Sequence, residues 1–190
     1  LGLPIRGHII AARSGHSANI ELVKKIKRKY FKKGVNEKMA AKNKISFDIR
    51  EILNILPHRY PFLLIDKILS LDSGNKVKAL KNVTINEPYF QGHFSNQPVV
   101  PGVLLIESMA QAGGFIVLNS ISDPETKLMY ISAIDKTKFK KVVVPGDQMI
   151  IEAQLLKFKL NTCKIEAKIK VNSEIVAEST FLATVVNREI

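Results

Sequence analysis

From Cys163 to Val171 the chain alternates strictly, with Cys163, Ile165, Ala167, Ile169 and Val171 interleaved by Lys164, Glu166, Lys168 and Lys170. Successive side chains of a strand point to opposite faces, so this is an antiparallel strand with one dry and one wet face. Residues 149–160 and 175–186 have the same strand character, and Asn161-Thr162 and Asn172-Ser173-Glu174 supply the short connections. Residues 128–134 and 139–144 read as two further strands, followed by a Pro145-Gly146-Asp147 turn. Earlier, the apolar run 62–71 is closed by Asp72-Ser73-Gly74-Asn75, and 76–85 follows as the second arm of a hairpin.

A different pattern governs residues 102–119, which are apolar on nearly every face. Glu107, Gln111 and Asn119 interrupt the run too often for a membrane span, so it predicts a helix buried in a protein core. Ala110, Ala112, Gly113 and Gly114 let strands approach that helix closely. A short helix is expected over 46–56, where Asp48 and Glu51 have capping-box spacing and Ile49, Ile52, Leu53 and Leu56 share a face. Pro57 and Pro61 end it. One buried helix against a large antiparallel sheet is an α+β architecture.

Charge changes the picture at one end only. The net charge of the 190 residues is +12, but residues 1–38 hold ten Lys or Arg against two Asp or Glu, a net +8. Residues 39–190 hold nineteen against fifteen, so the body is only mildly basic. Within the basic end, Ile20, Val23, Ile26, Tyr30 and Phe31 fall near one helical face over 20–33. A membrane-surface helix, a nucleic-acid arm and a solvated helix packed on something else all fit that pattern. The last fits a stretch this short best. Residues 34–45 are small, polar and charged and read as a linker. The single cysteine, Cys163, excludes an intrachain disulfide framework and a Cys-rich zinc module. It alternates inward and reads as a core thiol.

The chemistry concentrates ahead of the buried helix. Residues 86–101 form a loop with three prolines and contain His93, whose imidazole suits a general base near neutrality. Gly102 starts the helix, and its first N–H groups lack intrahelical partners. Glu107 lies about one and a half turns inside. Desolvation is expected to resist its ionisation and fit it for an acid role. The bland alternative is a surface histidine and a core glutamate satisfied by Gln111, one turn away; spacing alone does not separate the two.

Two resemblances bear on this. Leu1-Gly2-Leu3-Pro4-Ile5-Arg6-Gly7, Ile9-Ile10-Ala11 and Ser14-Gly15-His16-Ser17-Ala18-Asn19 resemble the C-terminal end of UDP-3-O-acyl-N-acetylglucosamine deacetylase, the zinc enzyme of lipid A synthesis. The resemblance implies that His16 is an active-site histidine. The zinc ligands of that family lie upstream of any residue here, so zinc would belong to a part this chain lacks. Residues 1–33 are then expected to be a deacetylase tail in a bifunctional protein; an expression scar before a native start at Met39 is the competing expectation.

The second resemblance covers 52–189. Leu56-Pro57-His58-Arg59-Tyr60-Pro61-Phe62, Lys81-Asn82-Val83-Thr84-Ile85-Asn86-Glu87-Pro88, Gln91-Gly92-His93-Phe94, Pro101-Gly102-Val103, Glu107 with Met109-Ala110-Gln111, and Pro145-Gly146-Asp147 resemble (3R)-hydroxyacyl-acyl-carrier-protein dehydratase. This implies a hotdog fold over 46–190, a long central helix wrapped by an antiparallel sheet. It implies dehydration in type II fatty-acid synthesis, with His93 as base, Glu107 as acid, and the N–H of Gly102, with that of Val103, as oxyanion donors. Tyr130 takes the place of a tunnel-gating tyrosine, and His58 is read as structural. Glu107, where the dehydratase/isomerase branch has Asp, implies plain dehydration. Ser95 departs from the usual Pro after His-Phe. The implied partners are acyl carrier protein and further copies of the chain, a homodimer with shared sites assembling into a hexamer. No metal, cofactor, nucleic acid or transmembrane segment is implied, and the location is cytoplasmic. Arg59, Lys136, Lys138, Lys140 and Lys141 are candidates for docking the acidic carrier. A hotdog acyl-thioesterase and a basic interaction module through 20–33 are the rivals.

Overall fold

The computed structural model describes residues 45–188. The tail over 1–33, nearly all of the linker, the helix expected at 20–33 and His16 lie outside the described residues. Six strands make one antiparallel sheet in the order β1-β2-β4-β5-β6-β3. They are β1 (Lys67–Asp72), β2 (Lys76–Asn82), β3 (Lys127–Phe139), β4 (Gln148–Lys159), β5 (Thr162–Val171) and β6 (Glu174–Asn187). Among the described residues two α-helices accompany them, α1 (Ile49–Ile55) and α2 (Gly102–Leu118).

The β5 alternation is realised in full, with Cys163, Ile165, Ala167, Ile169 and Val171 all buried. They face α2, which is buried without a break from Gln111 to Leu118. An ideal Cβ on Gly113 would lie 2.7 Å from Cγ2 of Ile165, so only glycine permits this approach of helix to strand. In α1 the expected capping box forms, the Asp48 carboxylate accepting from Glu51 N and Glu51 accepting from Asp48 N.

Three expectations need correction. Ser46 and Phe47 precede the helix: Phe47 makes a two-way backbone bridge to Ile68 (3.1 and 3.0 Å) and packs edge-on against Phe115. Residues 62–64 are apolar but join no strand. Their backbone is bonded instead by the Gln111 amide, which accepts from Leu64 N (2.8 Å) and donates to Phe62 O (2.7 Å). Residues 128–144 contain one long strand and not two. The polar stretch 135–138 is a bulge, with Lys136 at φ 51°, that lets β3 continue along β6. Residues 142–144 carry no strand of their own, although Val143 O accepts from Val100 N.

Candidate active site

His93 stands on the loop between β2 and α2. Its backbone N–H donates to Tyr89 O (3.0 Å), and its ring stacks on Phe94 with centroids 4.2 Å apart. Nδ1 lies 2.9 Å from Val99 O. A carbonyl oxygen only accepts, so Nδ1 carries the hydrogen and Nε2 is the bare, basic nitrogen.

The loop is anchored by a polar cluster. Lys81 is buried and bridges Glu87 (2.6 Å) and Asp66 (3.3 Å), while Asp66 also accepts from Asn82 N (2.7 Å). Burial, then the charges of Glu87 and Asp66, push the Tyr89 phenol well up. The loop that carries His93 is thereby fixed to β2 by ionic contacts and not by apolar packing alone.

Val99 leads through Pro101 into α2. The N–H groups of Leu104 and Leu105 both donate to Pro101 O. Those of Gly102 and Val103 make no hydrogen bond among the described residues, as oxyanion donors require. A Cβ on Gly102 would meet the Phe139 ring at 3.1 Å, so a larger residue here would require that exposed ring to shift.

Glu107 is set into a narrow apolar slot of about 40 Å³. Its Oε1 accepts from Gln111 Nε2 (2.9 Å) and lies 3.3 Å from His58 Nε2. Burial is the largest single influence on this carboxyl and pushes it up, but the hydrogen bonds from His58 and Gln111 and the charge of His58 outweigh it. The net displacement is downward, against the expectation that desolvation alone keeps Glu107 protonated. Gln111 does satisfy Glu107, as the bland reading held, and His58 joins it. Among the described residues no hydrogen bond or ion pair links His93 to Glu107.

The remaining candidates are less engaged. Tyr130 is exposed on β3, at the edge of the sheet, and its neighbours Met129 and Ile131 line the slot. Arg59 turns back onto the carbonyls of Leu53, Leu56 and His58. Lys138 and Lys140 pair with Glu178, and Lys141 pairs with Glu174. Lys136 makes no ion pair among the described residues, and the three paired lysines remain part-exposed.

A family model described as a FabA-like domain matches residues 56–180, the span from the end of α1 into β6 that holds every residue of this site. The chain belongs to the FabA-like family. Over its full length it is 44% identical to the bifunctional enzyme LpxC/FabZ of Chlorobaculum tepidum, of which it spans 41%. Over 75% of its length it is 46% identical to the 3-hydroxyacyl-[acyl-carrier-protein] dehydratase FabZ of Lawsonia intracellularis, of which it covers 94%. Among solved structures, the dehydratase heterocomplex ApeI:P of Xenorhabdus doucetiae superposes with a TM-score of 0.63 at 19% identity, over 72% of this chain and 91% of that one. That likeness shows the hotdog fold. In this FabA-like chain the helix is the expected long central one, and none of the described helices is long and apolar enough to cross a membrane. His58, expected to be structural or at most near the tunnel entrance, lies 3.3 Å from Glu107 Oε1, a contact across 49 residues that leaves no local signal in the sequence.

Proposed function

We propose that this chain is a lyase that dehydrates (3R)-3-hydroxyacyl groups carried as thioesters on acyl carrier protein, giving trans-2-enoyl thioesters and water. The observation that carries the proposal is His93: its Nδ1–H is committed to Val99 O, its Nε2 is bare, and its loop runs directly into the unpartnered N–H groups of α2. Nε2 takes the C2 proton. The Gly102 and Val103 N–H groups hold the thioester oxygen as it gains negative charge. The C3–O bond breaks, Glu107 supplies the proton that turns the leaving hydroxyl into water, and His93 then returns a proton to the carboxylate. Electrons are neither gained nor lost overall, so the reaction calls for no redox cofactor, and the groups named supply its acid, base and oxyanion chemistry without a metal.

The acid form of Glu107 is made on binding. Before substrate binds the carboxylate is favoured, but an acyl chain laid over the mouth of the slot strips water from the carboxyl and strengthens the one influence that already pushes it up. Because Glu107 has no link to His93 in its own chain, the working pair comes from two copies, His93 of one and Glu107 of the other. The exposed Tyr130, Ile131, Ile134 and Phe139 on the unpaired edge of β3, with Phe94 and Val103 beside the site, are the apolar surface such a dimer buries. Three dimers complete a hexamer. Tyr130 at that edge gates the chain's entry, and a carrier-protein substrate places the enzyme in the cytoplasm. The match of residues 1–44 to the bifunctional relative supports reading 1–33 as the tail of a deacetylase domain, with His16 as that domain's residue.

The test is turnover of 3-hydroxyacyl and enoyl thioesters in both directions, with release of free thiol followed in parallel. His93→Ala and Glu107→Ala should each lose at least about 100-fold in kcat while the fold is retained, as read by circular dichroism. Thiol release without hydration would instead make the chain a thioesterase.

A further inference from the structure

The His58 side chain lies against Glu107 with an arrangement that packing alone does not call for. Two donors, His58 Nε2 and Gln111 Nε2, converge on the same oxygen, Oε1. Gln111 is itself fixed by Phe62 O and Leu64 N. The backbone at His58 is fixed by Arg59, whose Nη1 donates to His58 O (2.7 Å) and Leu56 O (2.8 Å) and whose Nη2 donates to Leu53 O. Both donors are thus held by the chain on either side of the slot, and among the described residues Oε2 makes no hydrogen bond.

His58 Nδ1 is buried and has no hydrogen-bond partner. Nε2, 3.3 Å from Oε1, is thus the ring nitrogen that meets a polar partner. Among the residues lining the slot, His58 and Glu107 are the only ionisable ones, so no other charge competes for the contact.

We propose that His58 is a positioning residue for Glu107: with Gln111 it occupies Oε1 and pins the carboxyl, leaving Oε2 as the oxygen that meets the substrate hydroxyl. This rests on the reading of Glu107 as the dehydration acid. His58 acts through Glu107 and touches no reacting atom. It serves as a donor of fixed geometry, so its role is transferable to a neutral side chain that reaches the same point. Glutamine places an amide nitrogen near the position of Nε2, whereas asparagine ends near Nδ1 and falls short.

The experiment compares His58→Gln, His58→Asn and His58→Leu in the full chain. His58→Leu and His58→Asn should lower kcat about 10- to 100-fold, as a misplaced catalytic group does, with KM within about threefold of the parent, as the loss of a group acting on the chemical step predicts. His58→Gln should recover kcat to within about threefold of the parent. A second readout does not depend on turnover: the Glu107 carboxylate band, identified in infrared difference spectra by its loss in Glu107→Gln, should titrate at higher pH in the Leu and Asn variants and stay in place in the Gln variant. Equal kcat in Gln and Asn variants, or an unmoved carboxylate in His58→Leu, overturns the proposal. If leucine prevents folding, the Gln and Asn pair still decides. If Glu107→Gln itself retains full turnover, the dehydration acid has been misassigned, and the infrared titration still reports whether His58 holds the carboxyl.

Discussion

Gly113 and Gly114 are adjacent on α2, equally buried and equally unfavourable to a helix, yet alanine should have opposite effects at the two. Replacing a helical glycine by alanine gains about 0.8–1.0 kcal/mol from helix propensity alone. At Gly113 the new Cβ would lie 2.7 Å from Ile165 Cγ2, 3.0 Å from its Cδ1 and 3.4 Å from Phe181 Cε2. Carbon atoms pack best at roughly 3.5–4.0 Å, and Ile165 and Phe181 are themselves essentially inaccessible to solvent. Neither side chain has space to retreat into, so the helix must move off β5, at a cost of about 1–3 kcal/mol for overpacking. Gly113→Ala should therefore be destabilising by up to about 2 kcal/mol net. At Gly114 the nearest atoms are Met129 Sδ at 3.5 Å and Cε at 3.8 Å, ordinary contact with a flexible side chain. Gly114→Ala should be stabilising by up to about 1 kcal/mol. In a domain of this size each kcal/mol moves the melting temperature by about 2–4 °C. Thermal and urea unfolding at one fixed protein concentration, since association contributes to stability, would measure both. Shifts of the same sign would refute the idea that clearance to Ile165 governs this helix.

Lys81→Met removes the cation from between Asp66 and Glu87 and should cost about 2–4 kcal/mol in urea unfolding, because two part-buried carboxylates lose their shared partner; adding Asp66→Asn and Glu87→Gln should recover most of the loss, and no recovery would show that the ammonium acts by its bulk. Burial pushes the Cys163 thiol up, and its Sγ donates to Ala183 O, so a thiol reagent should label native protein slowly and urea-unfolded protein fast; rapid native labelling would place Cys163 elsewhere than under α2. The Glu107 carboxyl is held below its ordinary value of 4.5 by His58 and Gln111. Its ionisation therefore favours the folded state above that unfolded value, and this contribution is lost as pH falls through the lower, folded one. Glu107→Gln should accordingly flatten the acid side of the stability–pH profile, and an unchanged acid limb in urea midpoints would contradict the downward displacement.

What the chain makes legible is whatever is periodic and local. The β5 alternation, the all-round apolar character of α2 and the Asp48–Glu51 capping box each depend on neighbours a few residues away, and each is found where its pattern predicts. Residues 62–64 show the opposite case. They have strand composition, but the partner that satisfies their backbone is a side-chain amide, Gln111, on a helix nearly fifty residues later. The polar run 135–138 looks like a break between strands, yet β6 pairs on both sides of it and carries β3 through as a bulge. His93, Gly102 and Glu107 stand out in the chain because they share one loop and one helix, yet among the described residues no hydrogen bond or ion pair joins His93 to Glu107. His58 does not stand out, because its only claim on the site is a contact across the fold.

The state of Glu107 ties these levels together. A sequence shows that a carboxyl sits on an apolar helix, and from that alone desolvation predicts a neutral acid. The fold brings Gln111 and His58 to Oε1, and together they hold the carboxyl below its ordinary value. The two tendencies do not cancel into indifference. Donor contacts are set by the chain and are present before substrate arrives, whereas desolvation depends on what fills the slot. If Glu107 is the acid of the proposed dehydration, a carboxylate oriented through Oε1 while water still reaches it gains affinity for a proton when an apolar chain expels that water. An acid protonated before binding would gain nothing from this coupling.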